Sequence, residues 1–328
     1  MKRTRRITVL VIVGLLALSL YAQGQQEVAG SDPYAKWPEK PVQFIAFMGA
    51  GGDTDFNSRT YAKYLEAELG KPVVVSNVSG LGGALGTAKL KSSAADGYTF
   101  GFFHTCVNIN EVTKMADYSW EVFDMVRVVG KSGGEAFVVR KDSPYNTLLE
   151  MIEASKKNPG AMKIAANVGA TSHWASMVLL AEHDAGFNIV NTGSSAERVS
   201  GLLGGHLDII LNPIGTVKAY LETGAFKLLA VTSPERLPQY ADIPTAKEQG
   251  VKLNYDLHYY VLAPKGTPKP IIEKLGKAME NVAKRADYAA DIAKAYNQLP
   301  LVMSYEDSIK YITDERTMIM KYAPMFDK

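Results

Sequence analysis

The sequence predicts an α/β protein of two lobes, each a mostly parallel sheet flanked by helices, joined by a hinge of two crossovers. Three observations carry this. The 328 residues exceed the ~250–300 at which a single core stops growing. Short β-rich runs alternate with Gly-rich loops and helical stretches, the order expected of a parallel sheet. That alternation occurs twice, separated by a shift in composition near Val138. A chain 47% hydrophobic and 21% charged is neither disordered nor collagen-like. One cysteine, Cys106, makes no internal disulfide and supplies no thiolate set for zinc or an iron–sulfur cluster.

The elements follow in order. Residues 42–47 read as a buried strand, and Gly49, Ala50, Gly51 and Gly52 form a loop delivering Asp53, Thr54 and Asp55 as helix caps. The helix keeps Tyr61, Tyr64, Leu65 and Leu69 on one face and stops at Gly70. Strands at 73–75 and 98–103 flank a second Gly-rich stretch, 80–86, with a helix ending near Ser93. In the second unit, a helix at 147–157 precedes a strand at 163–166. The small-residue loop 167–173 then leads into a helix at 174–180. Strands at 189–190, 208–211 and 226–231 and a helix at 195–203 complete it. Residues 255–262 read extended, and the helices in 269–297 and 305–322 return to cover the first lobe. Lobe 1 is thus expected at 38–138 plus 258–328 and lobe 2 at 139–257. Crossovers near 125–140 and 255–262 make a clamshell hinge.

The first 24 residues differ from the rest. Lys2, Arg3, Arg5 and Arg6 precede an apolar run, 7–20, of 14 residues, short of the ~20 that span a bilayer. This predicts a cleaved signal peptide at 1–24, a polar leader at 25–37 and an exported protein. No Cys follows the run, so no lipid anchor is expected. Removing four cations and no acids leaves 32 Lys and Arg against 34 Asp and Glu, a balance of −2. That is no footprint for nucleic acid.

Scans for catalytic and metal motifs give near misses. Asp53–Asp55 starts like a calcium loop, but Ser58 and Tyr64 stand where Gly and Glu belong. Gly130-Lys131-Ser132 lacks the first Gly of a phosphate loop, and 80–86 lacks the third Gly of a dinucleotide fingerprint. No Gly-x-Ser-x-Gly elbow occurs, and the five His show no paired spacing. No metal, cofactor or catalytic residue is expected. What remains is three small-residue loops, 49–55, 167–172 and 192–195, each opening a helix. Their backbone N–H groups, aided by the helix dipole, suit an anion. Open α/β sheets bind ligands at this end of their strands.

These residues carry a resemblance. The landmarks are Gly51-Gly52-x-x-Asp55-x-x-x-Arg59, Leu69-Gly70-Lys71-Pro72-Val73-Val74-Val75-x-Asn77, Gly80-x-Gly82-Gly83 and Asp96-Gly97-Tyr98-Thr99. Downstream come Gly169-x-x-Ser172-His173, Leu203-Gly204-Gly205-x-x-Asp208, Ile243-Pro244-Thr245-x-x-Glu248-x-Gly250 and Ala263-Pro264-x-Gly266-Thr267-Pro268. In number, order and spacing, across about residues 38–325, the chain resembles the solute-binding receptors of tripartite tricarboxylate transporters, the Bug receptors. The resemblance implies a periplasmic binding fold, a type II-like clamshell. It implies a monomer that captures a small carboxylate (a di- or tricarboxylate, or a related organic or amino acid). Its partner would be a membrane permease of a large and a small subunit. In that family, main-chain amides and waters from the first-lobe loop and the facing second-lobe loop hold the ligand. Carried over, the binding residues are Phe47, Met48, Ala50, Gly51, Gly52, Asp53, Thr54 and Asp55, with Asn167, Val168, Gly169, Ala170, Thr171 and Ser172 opposite, and Thr192 and Gly193 beside them.

Two departures bear on the ligand. Ala46 precedes Phe47 where the family often has Pro, and Asn191-Thr192-Gly193-Ser194 replaces a stretch like Pro-Tyr-Lys-Gly, removing a ring and a cation. The expected cradle holds no Lys or Arg. Arg59 is the nearest cation and is expected to pair within its own lobe. Asp55, facing an anion, would favour a ligand with a hydroxyl or amino group beside its carboxylate. A ligand sensor and an exported hydrolase are the competing functions. The hydrolase lacks a visible nucleophile–base pair.

Overall fold

A computed structural model describes residues 33–326. The expected signal peptide and most of the leader lie outside the described residues. Residues 33–37 form a short turn segment in which the Trp37 N–H donates to Tyr34 O at 2.9 Å. The body of the protein begins at Pro38.

The body contains two five-stranded sheets with the same internal plan. In the first, β1 (Val42–Ala46) lies between β2 (Val73–Asn77) and β3 (Thr99–His104), all parallel. Next to β3 runs β10 (His258–Pro264), antiparallel, and beyond it β4 (Phe123–Lys131) at the edge. In the second, β6 (Lys163–Ala166) lies between β7 (Asn188–Asn191) and β8 (Ile209–Pro213), all parallel. There the antiparallel insert is β5 (Glu135–Arg140), with β9 (Phe226–Val231) at the edge. Each sheet is therefore parallel apart from one strand, and that strand is the one that has just crossed from the other lobe.

The crossovers are short. Residues 132–134 join β4 to β5, so β5 pairs wholly within the second sheet, and the division expected at 138/139 cuts through it. Four apolar residues, Ala136 to Val139, mark the strand, but its first residue is the buried acid Glu135. The Ser132 N–H donates to Leu257 O at 2.8 Å, tying the two crossovers together.

The helices are α1 (Asp53–Leu69), α2 (Ala84–Lys91), α3 (Cys106–Val112), α4 (Leu148–Lys157), α5 (Thr171–His183), α6 (Ser195–Leu203), α7 (Ile214–Glu222), α8 (Lys269–Ala283), α9 (Ala286–Tyr296) and α10 (Tyr305–Met320). The last three cover the first sheet. Asn281 of α8 donates to Glu68, and Asp291 of α9 accepts from Lys63 and Tyr64 of α1. Ser308 of α10 accepts from the Val128 N–H of β4. Among the described residues no helix is long and apolar enough to cross a membrane.

Candidate ligand-binding site

A narrow cleft opens between the lobes at the carboxyl ends of the parallel strands, where α/β sheets place their ligands. The helices α1, α5 and α6, of 17, 13 and 9 residues, start at its wall, with N-caps Gly52, Ala170 and Ser194. Pro213, the N-cap of α7, lines it too. Their dipoles and unpaired first-turn N–H groups make the cleft attractive to an anion.

Seven of the expected residues line this cleft: Met48, Gly52, Asp53, Asn167, Ala170, Thr171 and Ser172. Phe47, Ala50, Gly51, Thr54, Asp55, Val168, Gly169, Thr192 and Gly193 do not line it. Phe47 is wholly buried beside Phe103, ring centroids 5.0 Å apart, so it supports the loop from beneath. Asp55 points the other way: it accepts from the Gly51 N–H at 3.1 Å, from Arg59 at 2.9 Å and from Asn77 at 2.9 Å. It locks the loop, and Arg59 is occupied in the same lock. Asp53 is the acid that faces the cleft, and Gly52 is the N-cap, so neither Asp is a cap. Gly169 instead meets the first lobe: its carbonyl accepts from Asn110 at 2.8 Å.

The expectation of a cradle without a cation is corrected. Arg198, on the first turns of α6, is buried at the cleft wall. Its Nε donates to Asn212 Oδ1 at 2.7 Å and its Nη1 to Gly193 O at 3.3 Å. Asn212 is itself held, donating to Ser195 O at 3.0 Å and Thr216 Oγ1 at 2.9 Å. Among the described residues the Arg198 side chain makes only these two hydrogen bonds, through Nε and Nη1. Burial works against the Arg198 charge, and the nearby Glu135 and Asp53 carboxylates support it.

Two acids share the cleft. Glu135 Oε2 accepts from Tyr255 at 2.7 Å, and its Oε1 from Thr171 at 3.4 Å. Burial pushes the Glu135 carboxyl up to about 7. Asp53 Oδ2 accepts from Tyr259 at 2.9 Å, and burial raises its carboxyl as well. His104 also lines the wall; burial pushes it down to about 3, so it is neutral at physiological pH. Gly49, Ser194, Ser195 and Leu257 complete the lining.

The lobes are closed on each other. A Cβ on Gly82 would sit 2.2 Å from the Gly169 carbonyl carbon, and one on Gly52 would sit 3.2 Å from Ser195 Oγ. Asn110 donates to the carbonyls of both Gly169 and Gly82. The Thr171 N–H donates to Cys106 Sγ at 3.2 Å. Across the outer margin Lys218 donates to Lys294 O and Asn297 Oδ1, and the Tyr296 ring lies where a Cβ on Gly215 would go.

Residues 58–322 match the family model described as the tripartite tricarboxylate transporter family receptor. The chain belongs to that receptor family. It is similar to BugT of Bordetella pertussis, 26% identical with 93% of this chain and 94% of BugT covered. Among solved structures it is similar to the periplasmic binding protein BugD, with a TM-score of 0.80, 26% identity, and 88% of this chain and 98% of BugD covered. MatC of Rhodopseudomonas palustris, solved with bound malate, shares the fold at a TM-score of 0.80 and 22% identity, covering 88% of this chain and all of MatC. The receptor is thus a two-lobed solute-binding protein, and the family it belongs to is one of receptors, not enzymes.

Proposed function

We propose that this receptor captures a small organic acid in the interlobe cleft and delivers it to the membrane subunits, one large and one small, of its transporter. The observation that carries the reading is the meeting of the buried residue Arg198 with the N-termini of α1, α5 and α6 at one cleft wall. A carboxylate there takes a charge-assisted bond from Arg198 and further bonds from first-turn N–H groups and the Ser172, Ser194 and Ser195 hydroxyls. The malate on MatC marks one acid to try. The receptor works in the periplasm as a monomer, after removal of residues 1–24, and catalyses nothing.

The test is a thermal-shift screen of mono-, di- and tricarboxylates followed by calorimetry. A true ligand at ~100 times its Kd stabilises the fold by about 2.7 kcal/mol, a rise on the order of several degrees in Tm. A full panel of acids with no shift would sink the reading. Recovery of an intact Met1 terminus from the periplasm would sink the proposed processing.

A further inference from the structure

The cleft carries an imbalance of charge that an ordinary organic acid would worsen. Asp53, Glu135 and Arg198 are 8%, 3% and 6% exposed and line the same cleft. Two are acids and one is a base. The base is held by neutral groups, Asn212 and the Gly193 carbonyl, and neither acid comes within salt-bridge distance of it, although both support its charge from farther off. The acids are held by neutral donors too, Tyr259 on Asp53, and Tyr255 and Thr171 on Glu135. Neutral donors fix where a carboxylate points without cancelling its charge. Compensation must then come from the ligand or from protons, because uncompensated buried charge is costly. A dicarboxylate entering here would add two negative charges to a site that already has an excess of one.

We propose that the ligand carries a protonated amine beside its carboxylate, the ammonium held between Asp53 and Glu135 and the carboxylate by Arg198. This rests on the carboxylate reading above. An ammonium has three donors and no acceptor, and each carboxylate keeps acceptor capacity beyond its tyrosine bond. The placement also links the lobes. Asp53 belongs to the first and Glu135 to the second, so an ammonium between them is a charged clasp across the cleft. A ligand without the amine leaves the two acids of the cleft unbridged. The amine is therefore the group that drives closure.

The experiment compares matched acids on the intact mature receptor by calorimetry: succinate against L-aspartate, and glutarate against L-glutamate. The amino member of a pair is expected to bind at least tenfold tighter. Proton traffic gives an independent sign. Glu135 is faced by Asp53, Arg198, Tyr255, Thr171 and Cys106. Burial keeps Cys106 and both tyrosines neutral, and His104 does not titrate near pH 7. An ammonium prefers the ionised Glu135, so binding releases protons near pH 7 and affinity rises from pH 6 to 8. A bare dicarboxylate prefers the protonated form, so its binding takes protons up and its affinity falls over the same range. Runs in buffers of different ionisation enthalpy at pH 7 read the sign. Glu135→Gln and Asp53→Asn are each expected to bring the two members of a pair within threefold of each other. If the bare acid binds tighter, with proton uptake, the amine proposal falls and the carboxylate reading stands. If no acid binds, with or without an amine, both fall. Should either variant fail to fold, the wild-type pair and its proton sign decide alone.

Discussion

The two lobes each start a helix at the cleft and each place an arginine within its first two turns, yet they use it in opposite ways. In the first lobe Arg59 is half exposed and pairs with Asp55, while the lock of Asp55, Arg59 and Asn77 sets the shape of the 48–52 backbone. In the second lobe Arg198 is buried, meets no acid within bonding range among the described residues, and is held by Asn212. One wall is thus a backbone surface braced from behind, and the other is a charged side chain braced from beside. An arginine near a helix N-terminus says little by itself. What separates Arg198 from Arg59, and makes it the proposed binding cation, is burial together with neutral rather than acidic partners.

The largest expected effect follows from that contrast. Arg198→Gln is expected to weaken ligand binding at least 100-fold, since removing one partner of a buried charged contact costs about 2–5 kcal/mol. Arg59→Gln should change affinity by less than about threefold, in line with the small worth of exposed pairs. Calorimetry on both variants checks this, and the reverse order would break the comparison. Next comes closure. Gly82→Ala places a methyl group against the Gly169 carbonyl and is expected to cost about tenfold in affinity, about 1.4 kcal/mol, while circular dichroism stays native. Gly52→Val should do the same by pressing on Ser195. Gly51→Val meets open space, although its positive φ of 78° strains a side chain.

The third expectation concerns pH. Buried Glu315 accepts from Thr105, Asn108 and Tyr260, and burial raises it to about 7, like Glu135. A carboxyl whose folded pKa lies above its unfolded value penalises folding once it must ionise. Stability is therefore greatest near or below about pH 4.5 as far as these two groups decide it, and falls as pH rises through about 7. Thermal melts of the ligand-free protein should give a lower Tm at pH 8 than at pH 5.5. A flat profile would mean that the networks accommodate both charges. The smallest effect is expected from Asp55→Ala, which frees the Gly51 N–H, Arg59 and Asn77. It should lower stability by about 1–2 kcal/mol, measured by urea unfolding.

Most of the architecture was legible because periodicity and Gly-rich loops report backbone geometry directly. The strands at 42–46 and 226–231 and the amphipathic helix at 195–203 needed no tertiary information. The helix Cys106–Val112 was not legible: six of its seven residues are buried, Asn108 and Asn110 among them, so it shows no apolar stripe against a polar one. Ile214–Glu222 was not legible either, because Pro213 at its N-cap and Gly215 in its first turn are poor helix formers. In the cleft, the loops at 49–53 and 167–172 were found from their small residues. Arg198 was not, although a signal existed. Ser195, Arg198, Val199 and Leu202 fall at i, i+3, i+4 and i+7, so the arginine sits on the buried face of α6. Glu135 likewise heads an apolar strand. Charge on a buried face was the clue, and a reading by loops alone passes over it.

The contacts at the outer margin, Lys218 with Lys294 and Asn297 and the Tyr296 ring over Gly215, involve none of the residues that line the cleft. Whatever acid is enclosed must wait for these contacts to part before it can leave. They act as a common factor on residence time, blind to the identity of the cargo. Asn297→Ala should speed the release of two unlike ligands by the same ratio in stopped flow. If release does change by one ratio for both, how long this receptor holds its cargo and which cargo it chooses are set by different residues, and a lineage facing scarcer supply could lengthen the first without disturbing the second.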